Sequence, residues 1–137
     1  MSTHHTRVSH NNFIKKYKTL SAYNREKKAM KLLMENDVRF VTQYSECCDQ
    51  TKEIYFAHVK NRGSLEDVIS KCVLDISLRN KYWDTIQNML RQLHYLNIAH
   101  GDFKCKNIIV MENGELVLCD FDLANTNPKK EDYLNDL

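Results

Sequence analysis

Residues 100–107 read HGDFKCKN, and residues 120–122 read DFD. Between them lie two apolar runs, IIVM at 108–111 and LVLC at 116–119, which ENGE at 112–115 separates. An Asn-Gly pair between two such runs is a strong signal for a tight turn, because both residues tolerate positive φ. The sequence therefore predicts an antiparallel hairpin whose two ends lie side by side.

This hairpin would bring together the polar residues that flank it. Asn107 stands just before the first strand, Asp120 just after the second, and Asp102 in the same loop as Asn107. Two carboxylates and a carboxamide are hard oxygen ligands, which suit a Mg²⁺ ion that also binds nucleotide phosphates. A polar loop that only caps the hairpin is the alternative, but the H-x-D-x-x-x-x-N spacing, the hairpin and the Asp-Phe pair all favour a metal and phosphate site.

In this combination the chain resembles the protein-kinase superfamily, whose catalytic loop reads H-R-D-x-x-x-x-N and whose metal motif reads D-F-G. The resemblance implies ATP and Mg²⁺ as cofactors. It makes Asp102 the catalytic base that orients the acceptor hydroxyl, and it assigns the metal ions to Asn107 and Asp120. Lys104 would help to neutralise the transferred phosphoryl group.

Two positions depart from the family pattern. Gly101 replaces the usual Arg, and His-Gly-Asp is more similar to atypical kinases, such as the tRNA-modification-complex kinase, and to the aminoglycoside and choline phosphotransferases. Because that Arg normally clamps a phosphorylated activation loop, we do not expect this form of regulation. Asp122 replaces the Gly of D-F-G, where small-molecule phosphotransferases often carry an acidic residue.

A lysine and a glutamate that could hold the α- and β-phosphates lie upstream. Residues 21–34 predict a helix with Glu26 on its apolar face. A carboxylate there needs a cation, and Lys15 supplies one at the end of a short strand, residues 12–15, that is similar to the V-A-I-K strand of kinases. Lys16 is the near alternative. The helix could instead be solvated, with Glu26 paired to its own lysines.

The connecting elements appear in the order that the resemblance implies. Residues 53–59 predict a buried strand, residues 61–63 a turn, and Ser64 caps the helix that follows. Apolar residues from Leu78 to Leu96 then mark a long amphipathic helix. By the resemblance, the backbone of three residues at the end of the buried strand would meet adenine: Ala57, His58 and Val59.

The sequence predicts an α+β fold, namely a truncated bilobal protein-kinase-like fold in one compact domain. Residues 1–60 would form an abbreviated small lobe and residues 61–137 a truncated large lobe. None of the three glycines precedes Lys15, so we expect no glycine-rich loop, and 15 residues after the DFD motif leave no room for a carboxy-terminal helical subdomain. Truncated kinase-like proteins of large DNA viruses are similar in that they lack such parts of the kinase fold.

Composition narrows the function classes. The net charge is +2, from 20 basic and 18 acidic residues, so neither general nucleic-acid binding nor a membrane surface is expected. Five cysteines without zinc or C-x-x-C spacing suit a reducing cytoplasm, that of the host if the source is viral. The histidines at positions 4, 5, 10, 58 and 94 have no partner at metal spacing, and we expect them to be structural or solvated.

The leading hypothesis is an atypical ATP-dependent protein kinase that carries out Ser/Thr-type phosphotransfer or ATP hydrolysis with Mg²⁺. One alternative is a pseudokinase, or kinase mimic, that acts by binding a cellular kinase or complex. A further alternative is a small-molecule phosphotransferase, although this class normally needs a larger carboxy-terminal lobe. Besides ATP, we expect a protein partner or a homodimer, because a shortened large lobe would expose apolar surface.

Overall fold

The computed structural model describes residues 4–9, 11–71 and 75–137, and it confirms the α+β fold class. The helices and strands in chain order are β1 (His4–Ser9), β2 (Asn12–Tyr17), α1 (Leu20–Glu35), β3 (Tyr44–Cys48), β4 (Glu53–Ala57), β5 (Asn61–Ser64), α2 (Leu65–Lys71), α3 (Ile76–Tyr95), β6 (Ile108–Met111), β7 (Leu116–Leu118) and α4 (Lys130–Asn135). A 3₁₀ turn, Cys105–Asn107, precedes β6. No helix in these ranges is long and apolar enough to cross a membrane.

The first sheet has the strand order β1-β2-β4-β3, and every neighbouring pair is antiparallel. Helix α1 packs against β2 and β4. It begins after Thr19, whose hydroxyl accepts a hydrogen bond from the Ala22 N–H at 3.1 Å. The helix is one residue longer at each end than residues 21–34, the predicted range. Its buried face carries Ala22, Tyr23, Glu26, Ala29, Met30 and Leu33.

Two strands differ from the sequence prediction. Asn61–Ser64 was expected to include a turn at residues 61–63, and this is wrong: the segment is β5, which pairs with β6 through Asn61 and Met111. The strand that pairs with β5 lies far along the chain. Gly63 is typical of a turn in the sequence, but in the structure it lies within β5 at φ 97°, where the register with β6 is irregular. Strand β3 was not predicted, because its mostly polar sequence YSECC lacks the alternation that marks a strand.

The second sheet, β5-β6-β7, contains the predicted hairpin. Gly114 takes the positive φ of the turn, 90°, and its N–H donates to the Met111 carbonyl. At the open end, the Cys119 N–H donates to the Asn107 carbonyl at 2.9 Å. The predicted adjacency of the two hairpin ends is therefore confirmed.

The segment after α1 joins the two sheets. The Leu118 N–H donates to the Phe40 carbonyl at 2.7 Å, and the Leu118 carbonyl accepts from the Thr42 N–H at 3.2 Å. Val41, between them, is buried in the same core as Leu118. The first sheet falls within residues 1–60 and the second within 61–137, while the division into two lobes stays a prediction.

Helices α2 and α3 precede the loop that ends at the 3₁₀ turn. Ser64 caps α2 as predicted, because its hydroxyl accepts from the Asp67 N–H at 3.1 Å. Helix α3 buries Tyr82 but leaves Trp83 59% and Tyr95 86% exposed, so neither of the latter belongs to the core. After α3 the chain turns at Asn97, where φ is 60°.

Candidate active site

Glu26 is a fully buried carboxylate that accepts hydrogen bonds from three donors. They are Lys15 Nζ at 2.5 Å, the Phe121 N–H at 2.7 Å and the Tyr17 hydroxyl. A buried charge is tolerated when it is paired and hydrogen-bonded in this way. The predicted pairing of Lys15 with Glu26 is confirmed, whereas Lys16 is exposed, and the alternative in which Glu26 pairs with lysines of its own solvated helix is wrong.

Lys15 also joins the two sequence motifs. Its Nζ lies 2.8 Å from Asp120 Oδ1, so one ammonium group bridges a carboxylate of α1 and the first carboxylate of the DFD motif. Burial alone would lower the pKa of Lys15, but Glu26 and Asp120 more than offset it and hold this pKa above its ordinary value. Burial and then Glu26 raise the pKa of Tyr17. Lys15 therefore stays charged, and Tyr17 stays a neutral donor.

The DFD motif is held on both sides. Asp120 has a left-handed backbone, with φ of 62°. The Phe121 ring is buried and packs edge-on against the His100 ring, with the centroids 4.6 Å apart. Arg25, on α1, donates from Nε to the Asp122 carbonyl at 2.7 Å. The metal-motif residues are thus fixed to both α1 and the catalytic loop.

His100 organises the catalytic loop as a neutral ring. Its Nε2 lies 2.8 Å from the Cys119 carbonyl, and its Nδ1 accepts from the Asp102 N–H at 3.1 Å. These partners assign the proton to Nε2, because a carbonyl can only accept. Burial lowers the pKa of His100. The ring therefore connects the strand end before Asp120 to the backbone of Asp102.

Asp136 anchors the same loop and was missed in the sequence. Its buried carboxylate accepts from the His100 N–H at 2.8 Å and the Gly101 N–H at 3.0 Å, and it lies 2.9 Å from His94 Nε2. No local pattern marks it, since all three partners lie more than 30 residues away and meet it only in the folded chain. Of the two residues expected to dock the last helical turn, Tyr133 packs edge-on against His94, whereas Leu134 is largely exposed.

The three predicted catalytic residues lie together at the end of this loop. Asn107 Nδ2 donates to the Asp102 carbonyl at 2.8 Å and to Asp102 Oδ2 at 3.1 Å. Lys104 Nζ lies 3.3 Å from Asp102 Oδ1. Asn107 is buried, whereas the Asp102 and Lys104 side chains are partly open to solvent. The arrangement leaves the Asp102 carboxylate accessible to solvent.

A cavity of about 650 Å³ joins the other predicted residues. Lys15, Glu26 and Asp120 line one part of it, and the segment that was expected to meet adenine, 57–59, lines another. Asp102, Lys104 and Asn107 are not among its lining residues; they adjoin it through Cys119, which lines the cavity and bonds to Asn107. A nucleotide could therefore lie with its base near residue 59 and its phosphates near Lys15.

Two backbone N–H groups of that segment are already hydrogen-bonded within the protein. The Ala57 N–H donates to the Gln43 carbonyl at 2.8 Å, and the His58 N–H donates to the Asn11 carbonyl at 2.9 Å. Neither group is available to a base edge in this arrangement. Of the N–H groups of residues 57–59, only that of Val59 has no hydrogen bond among the described residues.

The donor set fits a Mg²⁺ ion with bound phosphates. Asp120 offers a carboxylate, and Asn107 would ligate through Oδ1, because its Nδ2 is a donor and cannot bind a cation. Mg²⁺ prefers one or two such oxygen ligands with phosphate oxygens completing the shell. Lys15, held charged, would meet the phosphates.

The site also includes a histidine that sequence reasoning set aside. His4, on β1, lies 3.5 Å from Asp122 Oδ2 and 3.9 Å from Asp120 Oδ1. The expectation that it has no partner at metal spacing is wrong, because these three side chains can meet around one ion. The partners are distant in sequence, so only the pairing of β1 with β2 reveals the cluster.

The Lys15–Glu26 pair, Asp102 and Asp120 on this frame form a candidate nucleotide site of the kind that the kinase resemblance predicts. A family model described as "Protein kinase domain" matches residues 5–136. The chain is 32% identical over 109 residues to CBL-interacting serine/threonine-protein kinase 20 of Arabidopsis thaliana, covering 78% of this chain and 24% of the relative. It is 36% identical over 75 residues to mitogen-activated protein kinase kinase kinase 1a of Physcomitrium patens, covering 55% and 10%.

The chain belongs to the protein kinase family. It spans about a quarter or less of the length of these two curated relatives. A third similar protein, mitogen-activated protein kinase kinase kinase 1 of Arabidopsis thaliana, is 30% identical over 99 residues, with 72% of this chain and 16% of the relative covered.

Gly101 is required by the shape of the loop, and this gives a testable prediction. Its φ is 87°, and an added Cβ would lie 2.2 Å from the Leu123 carbonyl oxygen. Gly101→Ala should lower the free energy of unfolding by about 3 kcal/mol or more, since left-handed strain and an overlap each cost about 1–3 kcal/mol.

Gly114→Ala is the matched control. Its φ is similar, at 90°, but an added Cβ would meet nothing within 4 Å. This variant should lose only about 1–2 kcal/mol, the cost of the backbone strain. Urea denaturation of both variants measures the difference, and equal losses would show that Leu123 does not exclude a side chain at position 101.

The buried neutral His100 predicts a pH dependence of stability. Its folded-state pKa lies below the ordinary value of 6.5, so the unfolded chain takes up a proton that the folded chain does not. This stabilising contribution is complete above pH 6.5 and declines as the pH falls below it, by up to about 1.4 kcal/mol per pH unit. Urea denaturation from pH 7.5 to 5.5 should show a shallower decline for His100→Asn than for the wild type, and identical slopes would contradict the assignment.

Proposed function

We propose that this chain binds Mg-ATP and transfers the γ-phosphoryl group to a Ser or Thr hydroxyl, or to water, as an atypical protein kinase. The observation that carries the proposal is Lys15, which lies between Glu26 and Asp120 in the cavity that residues 57–59 also line. A charged, preorganised ammonium at that place binds phosphate oxygens without further reorganisation.

Each residue has a chemical task in this proposal. Lys15 binds and orients the α- and β-phosphates while Glu26 keeps it charged and in place. Asp120 and Asn107 would hold Mg²⁺, which would neutralise charge on the phosphates. Asp102 orients the acceptor hydroxyl and accepts its proton. In the nucleotide-free chain Asp120 bonds to Lys15, so a bound metal would share this carboxylate with the lysine.

Lys104 has a different place in the proposed reaction. Its ammonium lies near Asp102 and is half exposed, so it is free to swing toward the transferred group and neutralise its charge. Such a contact would form mainly in the transition state, where an interaction accelerates the reaction most effectively.

The atypical character of the proposed kinase rests on two residues. Gly101 stands where most kinases have Arg, and the nearby Leu123 carbonyl leaves no space for a side chain there. Asp122 stands where most kinases have Gly, and it is buried. These features support a likeness to the tRNA-modification-complex kinase and the aminoglycoside phosphotransferases as part of the proposal.

A second candidate is a pseudokinase that binds nucleotide or a partner without transferring phosphate. This candidate requires a partner surface, and an apolar groove of about 840 Å³, lined by Lys104 and the exposed Ile69 and Trp83 among others, lies outside the nucleotide cavity. Exposed apolar surface of this kind is typical of protein contacts. A protein partner or homodimer and a cytoplasmic location belong to the proposal for either candidate.

Phosphate transfer from γ-³²P-ATP tests the proposal. The purified chain is incubated with Mg²⁺ and a generic Ser/Thr substrate, and a parallel reaction contains EDTA. A kinase should label itself or the substrate, or release labelled phosphate, only with Mg²⁺. Labelling of an added aminoglycoside alone would favour a small-molecule phosphotransferase, and binding without any transfer would leave the pseudokinase.

A further inference from the structure

His4, Asp120 and Asp122 form a compact cluster of possible metal ligands. One ligand atom from each side chain can be chosen so that all lie within 4.8 Å of one another. The residues come from separate parts of the fold, since β1 carries His4 and the DFD motif carries both carboxylates. Asp122 is buried, and the His4 ring is largely shielded.

We infer that these three side chains bind a divalent transition-metal ion, Mn²⁺ or Zn²⁺, in the absence of nucleotide. This inference goes beyond the proposed kinase activity, because the histidine nitrogen makes this site selective for a transition-metal ion and has no part in the proposed reaction. The Mg²⁺ of the proposed reaction needs only Asp120, Asn107 and phosphate oxygens.

The spacing of the cluster is close to that of a bound ion. Ligand atoms around an ion with bonds of about 2.1 Å lie about 3 Å apart. His4 Nδ1 already lies 3.5 Å from Asp122 Oδ2. The Asp120 carboxylate oxygen lies at most 4.8 Å from the other two ligand atoms and must approach them to about 3 Å. Rotation of the partly exposed Asp120 side chain supplies this movement.

The local charge also favours a cation. Glu26, Asp120 and Asp122 are three carboxylates; among the described residues, Lys15 pairs with Glu26 and Asp120, and Arg25 donates to the Asp122 carbonyl. A divalent ion would be attracted to the Asp120 and Asp122 carboxylates, and a site shielded from water makes this attraction stronger.

The ligand types decide which ion is preferred. Imidazole nitrogen suits Zn²⁺ and other transition metals, whereas Mg²⁺ prefers oxygen alone and keeps much of its water. A site with one nitrogen and two carboxylates should therefore bind Mn²⁺ or Zn²⁺ more tightly than Mg²⁺. Replacement of His4 should remove this preference and leave a weak oxygen site.

The test uses the full chain, stripped of metal with EDTA and free of nucleotide. Loss of the free Mn²⁺ signal in electron paramagnetic resonance measures binding, and electron spin echo modulation detects a coordinated nitrogen. Competition with a chromophoric chelator measures Zn²⁺. His4→Gln and Asp122→Asn should each weaken Mn²⁺ binding by about 10-fold or more, because even a residue that only supports a ligand is worth about 10–100-fold.

His5→Gln is the matched control, since His5 is the exposed neighbour of His4 on β1. It should change the Mn²⁺ affinity less than about 2-fold and leave the nitrogen coupling in place. Equal loss from His4→Gln and His5→Gln, binding without nitrogen coupling, or no binding at millimolar Mn²⁺ would overturn the inference. Circular dichroism of each variant shows whether the fold is kept.

The result can be separated from that of the proposed function. Mn²⁺ bound through His4 in a chain that shows no stabilisation by Mg-ATP would support this inference and remove the kinase proposal. Stabilisation by Mg-ATP in a chain that binds no Mn²⁺ through His4 would support the proposed nucleotide binding and overturn this inference. Both measurements use the same protein preparation.

Discussion

Asp102→Asn is expected to lower phosphate transfer, or ATP hydrolysis, by about 100-fold or more, the usual effect of removing a positioned general base. The amide cannot accept the proton of the acceptor hydroxyl, although it can still bond to Asn107. Asp102 lies outside the lining of the nucleotide cavity, so ATP binding should be unchanged. Initial rates with γ-³²P-ATP and thermal shifts with Mg-ATP measure the two effects.

Asp84→Asn is the matched control for this variant. Asp84 is an exposed aspartate on α3 and lies in none of the contacts that form the site. It should transfer phosphate at the wild-type rate. Equal rates for the wild type and Asp102→Asn, in a preparation with measurable transfer, would remove Asp102 from the proposed mechanism. If the wild type transfers no phosphate, and the wild type and Asp102→Asn bind a protein partner equally well, the pseudokinase is favoured.

Glu26→Ala should produce a large loss of stability, about 3–5 kcal/mol in the free energy of unfolding, as for other buried pairs that lose one partner. The variant leaves the Lys15 ammonium, the Tyr17 hydroxyl and the Phe121 N–H without their shared acceptor. Each of these donors is buried, so the loss of the carboxylate leaves three buried polar groups without their protein acceptor.

Glu35→Ala is its control, because Glu35 is exposed near the end of the same helix. It should change stability by no more than about 0.5 kcal/mol. Glu26→Gln keeps the volume and one acceptor, and it should fall between the two. Urea denaturation gives the three values. A loss for Glu26→Ala as small as that for Glu35→Ala would show that the buried network does not stabilise the fold.

Sequence reasoning succeeded where a local signal and a chemical requirement agreed. The Asn-Gly turn predicted the hairpin that brings Asn107 beside the strand end before Asp120. A carboxylate on the apolar face of α1 required a cation, and this requirement selected Lys15 as the partner of Glu26. The fold class followed from the same motifs.

Sequence reasoning failed where the partner is distant and has no required spacing. Asn61–Ser64 was read as a turn because Gly63 dominates its local signal, whereas its pairing with β6 depends on the tertiary fold. His4 and Asp136 have no neighbours that mark them as part of the site. Their partners are identified only when β1 aligns with β2 and the end of the chain meets the catalytic loop.

Binding of Mg-ATP through Asp120 is the central claim of this account, and thermal unfolding of the wild type and Asp120→Asn with and without Mg-ATP tests it most directly. The asparagine can still accept a hydrogen bond from Lys15, so both proteins should unfold at similar temperatures without ligand. At 100 times Kd, ATP should stabilise the wild type by about 2.7 kcal/mol only when Mg²⁺ is present, and Asp120→Asn should gain little. Equal stabilisation of the two proteins, or none in the wild type, would contradict the claim.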